Sequence, residues 1–311
     1  MVTALHRVLI AVAIHAAALA SAHAQAGIDR AQEAFRTSVD LVTIQASVRD
    51  SRGRVVRGLT PADFEVRDNG QLRPIIELRS DLRSPVGLAI LVDMSGSMRV
   101  GAKIAMARQA FDSLLSQLRD GQDEAAVFTF DSSLHERQGF TSDLSTLKNA
   151  LSEFEPFGTT SLYDATAATA RHLSDRSATH RAVVVLTDGI DTSSSLTAPQ
   201  VSGLASAIDV PVYVVATVPF VDQRVMMETA DRPLRSDAAD LRDLAEWTGG
   251  RLAFASTLVD ADALASTIVD ELRQQYVLAI EAAKAREWRR LEIRVKNPSV
   301  IVKARGGYFG G

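Results

Sequence analysis

The sequence predicts a doubly wound α/β fold with a mostly parallel sheet, flanked by strand-rich segments at both ends. Three observations predict it. Apolar stretches at 86–92, 125–130, 182–186 and 212–216 read as strands, the first an unbroken run as in a strand buried on both faces. Helical periodicity fills the chain between them, and such strand–helix alternation makes a parallel sheet with helices on both faces. Alternating apolar and polar residues mark the segments before residue 80 and after residue 275.

Residues 1–24 read as a secretory signal peptide. Arg7 supplies the basic start, residues 8–20 are apolar apart from His15, and Ala22-His23-Ala24 gives small residues before a cut ahead of Gln25. The apolar run is shorter than the roughly 20 residues of a spanning helix. No later stretch is long enough either, so no membrane span is expected after cleavage. The expected localisation is exported, periplasmic or secreted. The Ala/Arg-rich composition suits a bacterial envelope protein.

Residues 28–36 read as a short polar helix or tail. Residues 39–48 alternate as a strand, with Val42, Ile44, Ala46 and Val48 on one face. Asp50-Ser51-Arg52-Gly53 is a turn. Thr60-Pro61 starts a single helical turn with Thr60 as N-cap. Residues 64–67 alternate again, Asp68-Asn69-Gly70 signals a hairpin, and 72–78 read as one further strand. Residues 38–80 are thus expected as an N-terminal β unit.

The α/β domain is expected over 85–275. It begins with the strand 86–92 and a helix from 102 to 118. The strand 125–130 and helices 144–154 and 161–173 come next. The strand 182–186, a helix 197–208 and the strand 212–216 follow. A helix 238–248 ends at Gly249-Gly250, before a strand 252–254 and a helix 260–274. Strands at 276–280, 289–295 and 300–304 close the chain. Residues 276–308 are expected to pair with the N-terminal unit as one small β-sandwich.

The balance of 34 Lys+Arg against 38 Asp+Glu gives a net charge of −4, which excludes a basic nucleic-acid binder. The chain has no cysteine, which excludes disulfides, thiol catalysis and zinc–thiolate sites. No Gly-x-Ser-x-Gly elbow, P-loop or Gly-x-Gly-x-x-Gly is present.

The chemistry collects after the first buried strand. In Asp93-Met94-Ser95-Gly96-Ser97, an acid and two hydroxyls alternate, and a glycine bends the loop. Three hard oxygen donors can then point at one spot, which suits Mg²⁺, Ca²⁺ or Mn²⁺. The plainer reading makes Asp93 a cap with exposed serines. Gly158-Thr159-Thr160-Ser161 opens a helix, where a hydroxyl N-cap is common. Thr187-Asp188-Gly189 ends the third strand, where a simple Asp-Gly turn is the alternative.

Taken together, Asp93, Ser95, Ser97, Thr160 and Asp188 resemble the metal-ion-dependent adhesion site of von Willebrand factor type A (VWA) domains. The resemblance covers about residues 85–275 and implies a Rossmann-like fold. More narrowly, the chain is similar to the bacterial secreted "VWFA-related" proteins. That likeness rests on a leading segment around Leu59-Thr60-Pro61-Ala62-Asp63-Phe64 and a tail around Ala304-Arg305-Gly306-Gly307-Tyr308.

The resemblance implies that Ser95, Ser97 and Thr160 ligate a divalent cation, most readily Mg²⁺, with Asp93 and Asp188 acting largely through water. The family pattern is Gly-Gly-Thr where this chain has Gly158-Thr159-Thr160, so Thr159 is the lesser option. It further implies a non-enzymatic module whose ion captures an Asp or Glu carboxylate of a protein partner. The alternatives are an envelope scaffold with a purely structural ion site, and a Mg²⁺-dependent phosphoryl-transfer enzyme. The latter would want a second acid where Ser95 stands.

The remaining polar residues read plainly. Asp131, after the second buried strand, reads as a turn residue or as a neighbour of the strand mouth that supports the ligating loops, and Asp164 and Asp191 are acidic neighbours of the loops. His135, His172 and His180 lack ligand spacing and are expected at the surface. Trp247 and Trp288 are expected to pack. The stretch 219–237 is long for a loop in a compact domain. It reads as a specificity loop over the strand ends or as a variable excursion.

Overall fold

A computed structural model describes residues 40–80, 83–151, 155–174, 176, 178, 180–207, 209–218 and 237–310. The expected signal peptide, the tail at 28–36 and nearly all of the 219–237 stretch lie outside the described residues. No helix among the described residues is long and apolar enough to cross a membrane.

The central strand β5 (Val86–Asp93) is buried along its whole length. That is the burial its unbroken apolar run requires. It pairs in parallel with β6 (Glu124–Phe130) on one side and β8 (His180–Thr187) on the other. Strand β9 (Val212–Thr217) and then β10 (Leu252–Ala255) extend the sheet in parallel beyond β8. Strand β7 (Leu134–Thr141) closes the opposite edge, antiparallel to β6. The sheet order is β10-β9-β8-β5-β6-β7.

Alternate residues of β5 feed two cores. Val86, Leu88, Ile90 and Val92 pack with helices α1 (Lys103–Gln117) and α5 (Leu258–Arg273). Ala89 and Leu91 pack with α2 (Leu162–Ser174), α3 (Ala198–Ala207) and α4 (Asp237–Trp247). Helices therefore cover both faces. The chain leaves β5 toward β6 and later returns on its other side as β8, so the order reverses at the β5–β8 boundary. In such sheets the carboxyl ends at this reversal form a crevice.

The strands outside the α/β part form two four-stranded sheets. One has the order β13-β1-β11-β4, from β1 (Leu41–Asp50), β4 (Ile75–Arg79), β11 (Tyr276–Glu281) and β13 (Val300–Ala304). The other has the order β14-β12-β2-β3, from β2 (Phe64–Asp68), β3 (Gln71–Arg73), β12 (Trp288–Val295) and β14 (Gly307–Phe309). Each sheet mixes early and late strands, paired antiparallel: β1 with β13, β4 with β11, and β2 with β12. The β2–β3 and β12–β14 pairs are antiparallel too. Their shared core holds Ile44, Ala46, Val48, Val66, Leu278 and Ile280, with Phe64 edge-on to Tyr276 at 5.3 Å. Asp68 is fully buried and ties three strands, accepting from Arg289 Nε at 2.6 Å and from the Tyr308 hydroxyl at 3.1 Å.

Several elements correct the sequence reading. The single strand expected at 72–78 is two strands, β3 and β4, in different sheets. Pro74 separates them, because its missing N–H cannot extend a ladder. Of the helix expected at 144–154, residues 152–154 lie outside the described residues and Leu144–Leu147 form a 3-10 turn, started by Asp143, whose carboxylate accepts from Ser145 N at 3.2 Å. Only Leu144 and Leu147 of that turn face the core, so one turn suffices. Strand β7 went unread because its sequence, LHERQGFT, has the polar mix of a half-exposed edge.

His180 is buried, not on the surface. Trp247 and Trp288 pack against Gly306 and Gly307, where an added Cβ would fall 3.1 Å and 2.5 Å from the rings. Both nevertheless leave one side open to a groove shared with Pro199, Ser202, Gly203 and Asp243.

Candidate metal centre

Four segments converge at the β5–β8 reversal. Asp93 ends β5 and is fully buried. Its carboxylate is held on both sides: Oδ1 accepts the Ser95 backbone N–H at 2.8 Å, and Oδ2 accepts the Thr187 hydroxyl at 2.6 Å. Burial pushes its pKa up to about 6. Hydrogen bonds from Ser95 and Thr187 restrain the rise, and the nearby Asp188 charge adds to it.

The next residues form a 3-10 turn, Gly96–Arg99, that leads into α1. The turn brings the Ser95 and Ser97 hydroxyl oxygens to 3.0 Å from each other. Backbone bonds close this loop onto its neighbours. Met94 N–H reaches Phe130 O at 2.8 Å, Phe157 N–H reaches Met94 O at 2.7 Å, and Gly96 N–H reaches Gly158 O at 3.0 Å. Gly158 has φ of +90°, which favours glycine at this close approach.

Thr160 is buried just before α2, and Thr159 is exposed. The Thr160 carbonyl accepts from Thr192 N–H and Ser193 N–H, each at 2.9 Å. The Thr159 hydroxyl accepts from Ser193 Oγ at 3.3 Å. Asp191 accepts Leu162 N–H at 2.8 Å and so caps α2. Asp164 accepts Ser195 N–H and Leu196 N–H at 2.9 and 2.8 Å. These two acids shape the 191–196 loop. Asp131 accepts Ser133 N–H at 2.9 Å, as a turn residue does.

Asp188 follows β8 and is only 1% exposed. Its Oδ2 accepts from Lys103 Nζ at 2.8 Å. Its Oδ1 is buried with no hydrogen-bond partner among the described residues. A buried carboxylate oxygen in that condition loses its hydration without replacement, at a cost of about 1–3 kcal/mol or more. The position therefore fits a cation or an ordered water. No group of three His, Cys, Asp or Glu side chains gathers as a metal cluster among the described residues. The donor set here is different: two carboxylates and hydroxyls, all hard oxygens.

Residues 88–191 match the model of the von Willebrand factor type A domain family. This stretch of the chain is a VWA domain. The match spans the Asp93 loop, Thr160 and Asp188, all on the α/β part of the fold. Among solved structures, the von Willebrand factor type A protein from Catenulispora acidiphila is similar at 16% identity and a TM-score of 0.51. The match covers 89% of this chain and 65% of that one. Proximal thread matrix protein 1 from the mussel byssus, described with a zinc-occupied MIDAS motif, is similar at 15% identity and a TM-score of 0.51. That match covers 65% of this chain and 50% of that one. BatB from Bacteroides thetaiotaomicron has 17% identity and a TM-score of 0.47, covering 60% of this chain and 98% of that one. At these identities the likeness is one of fold. A comparison with curated proteins finds no match.

The sequence reading passed over two residues that hold these carboxylates, Lys103 at Asp188 and Thr187 at Asp93. Thr187 precedes Asp188 directly, and its β-strand position aims its hydroxyl sideways at Asp93. Lys103 has no signal of its own, since it reads as an ordinary polar residue opening α1.

Proposed function

We propose that the mouth of the VWA sheet holds one hard divalent cation, and that this cation captures an Asp or Glu carboxylate of a protein partner. Mg²⁺ comes first, ahead of Ca²⁺ and Mn²⁺. The buried, unpartnered Asp188 Oδ1 carries this reading. The hydroxyls of Ser95, Ser97 and Thr160 would ligate directly. Asp93 and Asp188 would act largely through water. Asp93 is suited to that part, because the Ser95 N–H and the Thr187 hydroxyl already occupy both its oxygens. When bound, the cation supplies an under-compensated positive charge, since its direct ligands are mostly neutral. A partner's carboxylate then gains by completing the shell.

The loops that carry the site also expose three large apolar side chains, Val100, Phe157 and Ile190. Apolar groups beside a polar anchor are what a protein partner can bury. The zinc-occupied motif named for the mussel protein is a precedent on the same fold. The protein is read as exported, from the signal-like residues 1–24, and as a non-enzymatic binding module, from the resemblance of its Asp93, Thr160 and Asp188 loops to an adhesion site.

Calorimetric titration of chelator-stripped protein with Mg²⁺ and Mn²⁺ tests the cation. Wild type is expected to bind one ion, and Asp93→Ala and Ser95→Ala/Ser97→Ala, folded by circular dichroism, are expected to bind none. Capture from envelope extract with and without EDTA then reads the partner. An ion with no ion-dependent partner would leave a structural site. No binding at millimolar ion by either wild type or Lys103→Met would overturn the proposal.

A further inference from the structure

Lys103 stands where helix electrostatics disfavour a cation. It is the first residue of α1, and the first turn of that helix has no acidic residue to offset it. A positive charge there opposes the helix dipole. Its side chain is nonetheless turned inward, 13% exposed, onto a carboxylate that is 1% exposed. The Asp188 contact at 2.8 Å accounts for that placement. Asp93 and Asp188 together put two carboxylates in one buried space, and Lys103 meets one of the two charges.

We propose that Lys103 is a tethered cation that stands in for the divalent ion in the ion-free protein and competes with it. It would thereby set the ion concentration at which the site fills. The inference rests on the ion-site reading above. Its logic is linkage: whatever stabilises the ion-free state weakens ion binding by the same factor. An ammonium held at Asp188 lowers the energy of the empty site and repels an arriving cation. The long, flexible lysine stem lets the ammonium move toward solvent as the ion enters.

The test is calorimetric titration of the stripped full chain with Mn²⁺ and with Mg²⁺, comparing wild type with Lys103→Met. Methionine keeps much of the stem and removes the charge. Lys103→Gln serves as a second variant if the first fails to fold. Arg99→Gln removes an exposed cation from the same loop and controls for general charge. Lys103→Met is expected to bind at least about fivefold more tightly, with Arg99→Gln near wild type. Its ion-induced rise in Tm should also exceed that of wild type.

Binding by Lys103→Met alone, with wild type silent, would support the proposal outright. Equal or weaker binding by folded Lys103→Met and Lys103→Gln, with wild type binding normally, would overturn it and leave the ion site standing. Failure of every variant and of wild type to bind would remove both.

Discussion

The Lys103 ammonium lies 2.8 Å from Asp188 Oδ2, while Oδ1 of the same carboxylate is buried without a partner among the described residues. The pair is half-made, and its two members depend on each other. Orphaning one partner of a buried ion pair costs about 3 kcal/mol or more. Asp188→Ala is therefore expected to lose about that much stability in urea unfolding with chelator present. Adding Lys103→Met should recover most of the loss, because an apolar stem replaces the stranded charge. No recovery in the double variant would show that the two residues are not energetically coupled.

Asp93 makes the ion-free protein sensitive to pH. Burial raises its pKa from 3.8 to about 6. Between those values the native protein keeps a proton that the unfolded chain has released. Stability therefore falls as pH rises through that window. A shift of this size corresponds to a change on the order of 3 kcal/mol. Unfolding free energies of stripped protein at pH 4.5 and 7 should show the decline, and Asp93→Asn should flatten it. Ion binding needs the carboxylate ionised, so Mn²⁺ affinity is expected to rise from pH 5 to 7 and then level off.

Asp123 should behave in the opposite sense. Burial alone would raise its pKa. Arg273 Nη2 at 2.5 Å, Arg119 Nη2 at 3.0 Å and the backbone N–H groups of Val86 and Arg119 hold it well below the usual range. Its contribution is complete above the ordinary carboxylate pKa and is lost as pH falls through the lowered native value. Asp123→Asn is expected to cost about 3 kcal/mol at pH 7. The gap from wild type should be smaller at pH 3, as urea titrations at the two pH values would show.

Arg305 is a structural pin in the tail. It is buried and donates to Ser206 O at 2.5 Å and to Thr43 O, and it pairs with Asp209 at 3.2 Å. Asp209 in turn accepts from Thr43 Oγ1 at 3.2 Å. Arg305→Ala would strand Asp209 and should lower stability by about 3–5 kcal/mol. Arg305→Lys should recover little, since one ammonium cannot reproduce the planar fork. A thermal melt of both variants checks this, and a near-native Tm for the lysine variant would contradict it.

The α/β architecture was legible because β5, β6, β8 and β9 carry strongly apolar stretches, as strands buried on both faces do. The pairing of the first and last strands was suggested only by the strand-rich composition of both ends, with no residue to say which strands meet. Edges were harder. Strand β7 is half-solvated, so its side chains carry no period, and Pro74 divides what reads as one strand into two sheets. At the site, Asp93, Ser95, Ser97, Thr160 and Asp188 stood out because their three loops together resemble the adhesion site of VWA domains, while each loop alone reads equally as a cap or a turn. Lys103 did not, because its partner lies 85 residues away and only the fold joins them.

The central claim is a cation at the mouth of β5 and β8, and crystals grown with Mn²⁺ test it most directly through anomalous scattering. The account predicts one strong peak within coordination distance, about 2.2 Å, of the Ser95 and Ser97 hydroxyls and within water-bridging reach of Asp188. A fully occupied peak elsewhere, or none at this mouth in saturating Mn²⁺, would contradict it.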